Sequence, residues 1–228
     1  MSGGINEAKT GAMKGDELKK RLEEIFDKLF RHFGPQSWWP GETPFEVIVG
    51  AILTQNTNWQ NVAKAINNLK QAKVLSPKKL YSISRQRLAK LIRPSGYFNI
   101  KAKRLKEFMN FLFNNYGGNL KKMFSRPLED LRKEILTVNG IGPETADSIL
   151  LYAGGYPVFV VDAYTKRIFS RQKLLSEDAD YHTVQKIFAE NLKKDAQLYN
   201  EYHALIVRLG KDFCKKTNPK CEICPIKK

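Results

Sequence analysis

Residues 136–146 read LTVNGIGPETA, and residues 158–164 read VFVVDAY. The first stretch lies between two helical patterns. Apolar residues at helical spacing run through 128–136, and the pattern then breaks at an Asn-Gly-Ile-Gly turn. It resumes at Pro143, where a helix loses nothing from the missing N–H of proline. The sequence therefore predicts two helices joined by a tight hairpin over 128–153.

The turn of this hairpin has the composition of a phosphate-binding loop. Gly140 and Gly142 lie just before the positive N-terminal end of the second helix, so backbone N–H groups there can contact an anion. A Gly-x-Gly pair alone is weak evidence, and an ordinary helical hairpin is the alternative. A dinucleotide fingerprint would need a preceding strand and a third glycine, where the chain has Thr145.

The rest of the chain reads as helices separated by short Gly, Pro, Ser or Asn segments, which predicts an all-α fold. A helical pattern of apolar residues begins at Leu18 and continues to Phe33, and only 158–161 reads as extended. Residues 1–15 are polar and glycine-rich, and we expect a disordered or non-native start there. The other predicted helices are Phe45–Thr54, Trp59–Gln71, Ser84–Leu91, Lys101–Asn114, Pro127–Leu136, Pro143–Ala153, Thr165–Phe169, Tyr181–Leu192 and Gln197–Gly210.

The chain has a large excess of positive charge. Its 39 Lys and Arg face 23 Asp and Glu, giving a net charge of +16 that favours a polyanionic partner, most often nucleic acid. The alternative, a solvated charged surface, usually balances Lys against Glu. The sequence has neither a signal pattern nor an apolar run near the roughly 20 residues of a membrane span, so we expect a cytoplasmic protein.

The hairpin string and the aspartate of VFVVDAY together resemble the endonuclease III superfamily of helix-hairpin-helix (HhH-GPD) DNA glycosylases. The resemblance runs from about Leu22 to Cys224. It implies two helical lobes: a six-helix barrel over 36–156 that contains the hairpin, and a lobe formed by 16–35 and 157–228. It also implies a nucleoid-associated monomer that binds double-stranded DNA and flips a damaged base into the cleft between the lobes.

The same resemblance makes Asp162 the catalytic residue. Cleavage of an N-glycosidic bond builds positive charge on the sugar, which a fixed carboxylate stabilises, and the carboxylate can also orient water. Asp162 is also placed to cap the helix that follows. The bifunctional members carry a nucleophilic lysine where this chain has Glu144, which implies a monofunctional enzyme. Lys166 is near in sequence, and a substitute amine stays open.

The three tryptophans are predicted to form the base pocket. Trp38 and Trp39 in SWWPGETP, and Trp59 after LTQNT, are similar to the pocket of the 3-methyladenine DNA glycosylase III branch of the superfamily. Stacked aromatic faces bind an electron-poor or cationic purine, with a cation–π contribution of about 0.5–2 kcal/mol. The alternative is core packing, and for Trp59 both interpretations stay open.

Other positions match residues that contact DNA in this family. Gln55 matches the polar plug that fills the space of the flipped base, and Tyr97, after Gly96, matches an aromatic wedge pushed into the stack. Gly140, Gly142 and Thr145 of the hairpin complete the expected DNA-binding set. Both the plug and the wedge have an alternative interpretation as ordinary helix or turn residues.

The cysteines form one C-terminal group, Cys214-x6-Cys221-x2-Cys224. The spacing matches three of the four ligands of the 4Fe-4S loop of the family, and no cysteine follows Cys224 in the sequence. A 4Fe-4S cluster, a zinc ion and a loop without metal are the three alternatives; zinc is the weakest, because no histidine has ligand spacing to these cysteines.

These features predict a monofunctional DNA N-glycosylase of base excision repair that releases alkylated purines such as 3-methyladenine. One alternative is the same fold acting on mismatched thymine or uracil, or on adenine. Others are a bifunctional glycosylase with AP lyase activity and a non-catalytic DNA-binding module. Asp162 argues against the last, which would need no carboxylate at that place.

Overall fold

The computed structural model of the protein describes residues 15–36, 38 and 41–227. Its α-helices are α1 Gly15–Phe33, α2 Pro44–Leu53, α3 Trp59–Gln71, α4 Pro77–Ser82, α5 Arg85–Leu91, α6 Phe98–Tyr116, α7 Leu120–Met123, α8 Leu128–Leu136, α9 Pro143–Ser148, α10 Ala163–Arg171, α11 Tyr181–Asn191 and α12 Ala196–Asp212. Short 3-10 turns cover Arg93–Ser95 and Cys221–Ile223. Within these ranges no strand occurs, which confirms the all-α prediction.

Most predicted helices are present, with shifted ends. Local capping explains several boundaries: the side chains of Thr43, Asn58 and Ser84 accept backbone N–H groups and start α2, α3 and α5. The predicted start of α6 is three residues too late, because it begins at Phe98 after a left-handed Tyr97. Of the segment predicted to be disordered, 1–14 lies outside the described residues, whereas Gly15 already belongs to α1.

The predicted hairpin is formed by α8 and α9. The turn between them needs glycine at Gly140, whose φ of +86° is strained for any other residue. Gly142 is the N-cap of α9, which begins at Pro143 and continues as one π-helical turn, Ile149–Ala153. This turn packs against both α2 and α12. The hairpin therefore lies between the two groups of helices that meet at the cleft described below.

Two packed groups of helices surround this junction. In one, α2 to α6 pack on one another; in the other, α1 packs on α11 and α12, and α10 packs on α12. The apolar segment 158–161, which has neither helical nor strand structure, is buried and leads directly into Asp162 at the start of α10. The two-lobed arrangement is the predicted one; the boundaries at residues 36 and 156 stay predictions. Among the described helices none is both long and apolar enough for a membrane span.

Candidate DNA-binding and catalytic site

A cleft of about 580 Å³ lies where the two groups of helices meet. One side is formed by the end of α2, the start of α3 and the first turns of α9; the other is formed by α10 and α12. Its lining contains the titratable and aromatic side chains on which the site depends: Trp38, Trp59, Glu144, Asp162, His203 and Lys211. This is the volume of a small-molecule pocket, sufficient for a single purine base.

Asp162 is held at the cleft by the local structure of its own helix. It is the N-cap of α10, and its Oδ1 accepts hydrogen bonds from the backbone N–H of Thr165 at 2.7 Å and from the Thr165 hydroxyl at 2.9 Å. The other oxygen, Oδ2, lies 3.5 Å from Nε2 of His203. The capping role and the catalytic role are therefore compatible, since they use different oxygens.

The surroundings of Asp162 keep its carboxyl ionised. Its side chain is only 11% exposed, and burial by itself would raise its pKa; the nearby imidazole of His203 and the hydrogen bonds from Thr165 outweigh this, so the pKa lies below its ordinary value. A carboxylate fixed in this way can oppose positive charge that develops on a sugar without reorganising.

His203 is a site residue that the sequence argument missed. It lies on α12, is 5% exposed, and its Nδ1 is 2.6 Å from the hydroxyl of Tyr152. The chain Tyr152–His203–Asp162 links the hairpin side of the cleft to α12 and α10. A signal was present: His203 interrupts the buried stripe that includes Tyr199 and Ile206, and a titratable group on an apolar helical face needs a partner.

Two amines near the site have different surroundings. The ammonium of Lys166, the substitute considered above, donates to the carbonyl of Ala179 at 2.7 Å, and this residue does not line the cleft. Lys211, which the sequence did not single out, does line the cleft, and its Nζ lies 5.7 Å from the ring centroid of Trp38. Any amine chemistry in the cleft would therefore involve Lys211 rather than Lys166.

Glu144, which stands where the bifunctional members of the superfamily carry a lysine, lines the cleft. Burial and the neighbouring charge of Asp162 raise the pKa of this carboxyl, while His203 acts in the opposite direction. It belongs to the first turn of α9. A carboxyl at this place can accept or donate a hydrogen bond to a base, but it offers no amine for a covalent intermediate.

The structure brings two of the three predicted pocket tryptophans to the cleft. Trp38 packs edge-on against His203, with ring centroids 6.4 Å apart, and Trp59 begins α3 on the same lining while also packing against the core. Trp59 therefore contacts both the cleft and the core, and its role in a base pocket stays a prediction. Trp39 lies outside the described residues, and its role stays a prediction.

The predicted plug is bonded to the hairpin. The amide nitrogen of Gln55 donates to the carbonyl of Gly140 at 3.1 Å and to the hydroxyl of Thr145 at 2.9 Å, and its oxygen accepts from Arg104. Thr145 is 7% exposed, so in this state its hydroxyl is turned toward Gln55 rather than toward solvent. Gly142 is exposed and has open space where a side chain would stand.

The predicted wedge has the exposure that such a role requires. Tyr97 is 69% exposed and has a left-handed backbone with φ of 44°, an uncommon conformation for a residue with a side chain. Ile100, one turn further on, is 52% exposed. A strained backbone that is held in place is a feature of contact sites as well as of turns, and the wedge role of Tyr97 stays a prediction.

Substitution of Gly140 should weaken DNA binding. An added Cβ would lie 2.5 Å from Cγ of Arg104 at a positive φ, so Gly140→Ala must displace the Arg104 side chain and strain the turn of the hairpin. Loss of one charge-assisted bond to phosphate costs about 1.5–3 kcal/mol, and we expect a loss of this size for every duplex sequence in fluorescence anisotropy. Gly117→Ala is the control: its φ is +63° with open space around it, at the C-cap of α6. Equal losses in both variants would contradict a phosphate contact.

The three cysteines line a second cavity of about 310 Å³, together with Arg171 and Lys220. Arg171 donates to Sγ of Cys214 at 3.4 Å. Within the described residues, however, no group of three or more Cys, His, Asp or Glu side chains is arranged to hold a metal. The 4Fe-4S cluster therefore stays a prediction from the cysteine spacing, and iron and sulfide analysis would test it.

Comparison with known families agrees with the fold and the site. Residues 49–194 match the HhH-GPD superfamily of base excision DNA repair proteins. The chain belongs to this family. It is therefore a DNA glycosylase of base excision repair, an enzyme that acts on N-glycosyl bonds, and its partner is DNA.

Individual relatives span nearly the whole chain. A Methanocaldococcus jannaschii protein named as a candidate DNA repair glycosylase is 51% identical over 208 residues, which cover 90% of this chain and 94% of that one. Endonuclease III of Thermotoga maritima is 28% identical over 90% of each chain. Among solved structures, H. pylori 3-methyladenine DNA glycosylase bound to 1,N6-ethenoadenine has a TM-score of 0.72 and 32% identity, covering 87% of this chain and 98% of that one.

Proposed function

We propose that this glycosylase hydrolyses the bond between deoxyribose and an alkylated purine, and that it does so without AP lyase activity. The observation that carries the proposal is the lining of the cleft: an ionised Asp162, two tryptophans and Glu144 in place of a nucleophilic lysine. The similarity to the H. pylori enzyme supports the same substrate class.

The chemistry follows from the charge on each partner. Alkylation of a purine ring nitrogen weakens the glycosidic bond, so the base departs with little help. As it departs, positive charge grows on the sugar, and Asp162 opposes that charge from its fixed position. Water then adds to the sugar carbon, and the same carboxylate can accept the proton that this water loses.

Selection of the base would come from the aromatic walls. The Trp38 ring can attract a cation, as it attracts the ammonium of Lys211 at 5.7 Å from the ring centroid, and a bound cationic purine would take the place of that ammonium. An alkylated purine that carries positive charge gains the same attraction together with stacking area. A normal purine gains stacking alone, and a neutral pyrimidine gains a smaller stacking area.

Substitution of Trp38 should reduce discrimination rather than abolish turnover. We expect Trp38→Ala to lower the ratio of kcat/KM for 3-methyladenine to kcat/KM for a normal purine. The loss of discrimination should correspond to about 1–3 kcal/mol, the usual contribution of one base-stacking aromatic. The measurement is single-lesion duplexes assayed side by side. Tyr81→Ala is the control, because Tyr81 stacks on Phe113 with centroids 4.1 Å apart and does not line the cleft. Ready release of mispaired thymine or uracil, with methylated purines retained, would replace the proposal by mismatch repair.

The absence of a lyase step can be tested by borohydride trapping. A Schiff base needs an amine within reach of the sugar, and Glu144 offers none, so we expect no covalent adduct and strand cleavage only after alkali. Glu144→Lys places an amine at this position and should produce an adduct that the parent lacks. A strong adduct from the unaltered enzyme would contradict the monofunctional assignment; its loss in Lys211→Met, but not in Lys166→Met, would identify the amine.

A further inference from the structure

Two loops on the surface beside the cleft share an unusual backbone feature. The loop after α2 carries Gln55 and a left-handed Asn56 with φ of 54°, and the turn before α6 carries the left-handed Tyr97 with φ of 44°. Both residues have side chains, so both conformations cost free energy that the surroundings must supply. The loops are separated by about forty residues in sequence. A contact that reaches both loops is therefore needed to hold the two conformations at the same time.

Lys101 touches the base of both loops. It lies in the first turns of α6, is 1% exposed, and its ammonium donates to the carbonyl of Leu53 at 2.9 Å and to the carbonyl of Ser95 at 2.6 Å. Leu53 is the last residue of α2 and stands two residues before Gln55. Ser95 is the last residue of the 3-10 turn and stands two residues before Tyr97.

The chemistry of this contact explains how a lysine can lie in the interior. Carbonyls at the C-terminal ends of helices carry partial negative charge, and an ammonium can bridge two of them at once. Burial and the neighbouring charge of Arg104 lower the pKa of Lys101 to about 8, so the charge is costly. A buried charge of this kind is weak evidence for stability, because the cost of desolvation offsets its attraction to the carbonyls.

We propose that Lys101 is a positioning residue that fixes the plug loop and the wedge loop relative to each other, so that Gln55 and Tyr97 enter the duplex together. The inference rests on the proposed function, because it assigns the two loops to probing of the base stack. Lys101 itself does not line the cleft, so its effect should be on opening the duplex rather than on bond cleavage.

The same helix offers a matched control. Lys106 also donates its ammonium to backbone carbonyls, those of Leu80, Tyr81 and Ile83, and burial likewise lowers its pKa. Its acceptors belong to α4 and the residue after it, not to either loop. Lys106→Met therefore removes the same kind of contact and reproduces any general loss of stability. It does so without disturbing the plug or the wedge.

The decisive measurement needs no catalysis. A duplex with 2-aminopurine beside an abasic-site analogue fluoresces more strongly when a side chain unstacks the neighbouring base. We expect the parent and Lys106→Met to give the full rise, Lys101→Met to lose at least three quarters of it at saturating protein, and Lys101→Arg to recover most of it. All variants should melt at temperatures close to that of Lys106→Met. A full rise from Lys101→Met, no rise from the parent, or an arginine variant as defective as the methionine variant would each overturn the inference.

Excision assays separate this inference from the proposed function. Lys101→Met should excise an alkylated purine from a duplex at least tenfold more slowly than the parent, and from a single strand of the same sequence within twofold of it. Equal losses on both substrates would indicate a merely structural role and overturn the inference. If the parent excises alkylated purines from neither substrate, the proposed function fails, while the fluorescence result still decides the role of Lys101.

Discussion

Asp162→Asn should lower the rate of base excision by at least about 10³-fold, near the upper end of what loss of one preorganised electrostatic partner costs, while DNA affinity stays within a few-fold of the parent. The two oxygens of Asp162 explain why the substitution separates these effects. Oδ1 accepts the two hydrogen bonds from Thr165 that start α10, and an asparagine oxygen can accept both. Asparagine is as good an N-cap as aspartate, so the helix should be kept.

What is lost is the negative charge at Oδ2. In the ground state the sugar carbon that bears the base carries no positive charge, whereas in the transition state that carbon is cationic. The carboxylate therefore contributes chiefly to the transition state, and kcat should fall far more than binding. Because the pKa of Asp162 lies below its ordinary value, the carboxylate is present throughout pH 5–8 and its ionisation should not limit the rate there.

The chain contains a close match to Asp162 for use as a control. Asp180 caps α11 in a similar way: its Oδ1 accepts from the backbone N–H of Thr183 at 2.9 Å and its Oδ2 from the Thr183 hydroxyl at 3.0 Å. It is exposed, however, and does not line the cleft. Asp180→Asn should excise at the parental rate in single-turnover assays. If both variants lose activity equally, or if Asp162→Asn retains a tenth of the rate, the catalytic assignment is wrong.

The sequence was sufficient for features that depend on neighbours along the chain. Helical spacing, the glycine turn and the proline start predicted the α8–α9 hairpin, because each of these acts over a few residues. The short helices α4 and α7 were missed, since four to six residues carry no readable period. The left-handed backbone of Tyr97 was also missed, because tertiary packing rather than residue type imposes it.

The site depends on contacts that no local pattern encodes. The approach of Tyr152 and Asp162 to His203, of Arg104 to Gln55, and of Lys101 to Leu53 each joins different helices. In sequence, Tyr152, His203 and Lys101 look like ordinary helix residues. Asp162 and Gln55 could be selected in advance, and that was through resemblance to a family motif rather than through spacing alone.

Several contacts between different helices meet at Asp147. We therefore expect removal of its side chain to cost the most stability. Its side chain is fully buried on α9 and accepts from Nε and Nη2 of Arg132 at 2.6 and 3.0 Å. It also accepts from the hydroxyl of Tyr181 at 2.8 Å and from the amide of Gln185 at 2.7 Å. Gln185 in turn donates to the carbonyl of Phe159 at 2.7 Å, in the segment that leads into Asp162. One carboxylate thus joins both hairpin helices, α11 and the segment that leads into Asp162.

We expect Asp147→Ala to lower the free energy of unfolding by about 3–5 kcal/mol, the usual cost of leaving a buried charged partner unpaired. The guanidinium of Arg132, whose side chain is only 15% exposed, would lose its carboxylate, and two neutral donors would lose their acceptor. Denaturant unfolding followed by circular dichroism measures this directly. Asp212→Ala is the control, because it removes the partner of Arg208 in an exposed pair on α12 and should cost only about 0–1 kcal/mol. A similarly small loss for Asp147→Ala would show that the hairpin is held by apolar packing alone, and that the position of Asp162 does not depend on this network.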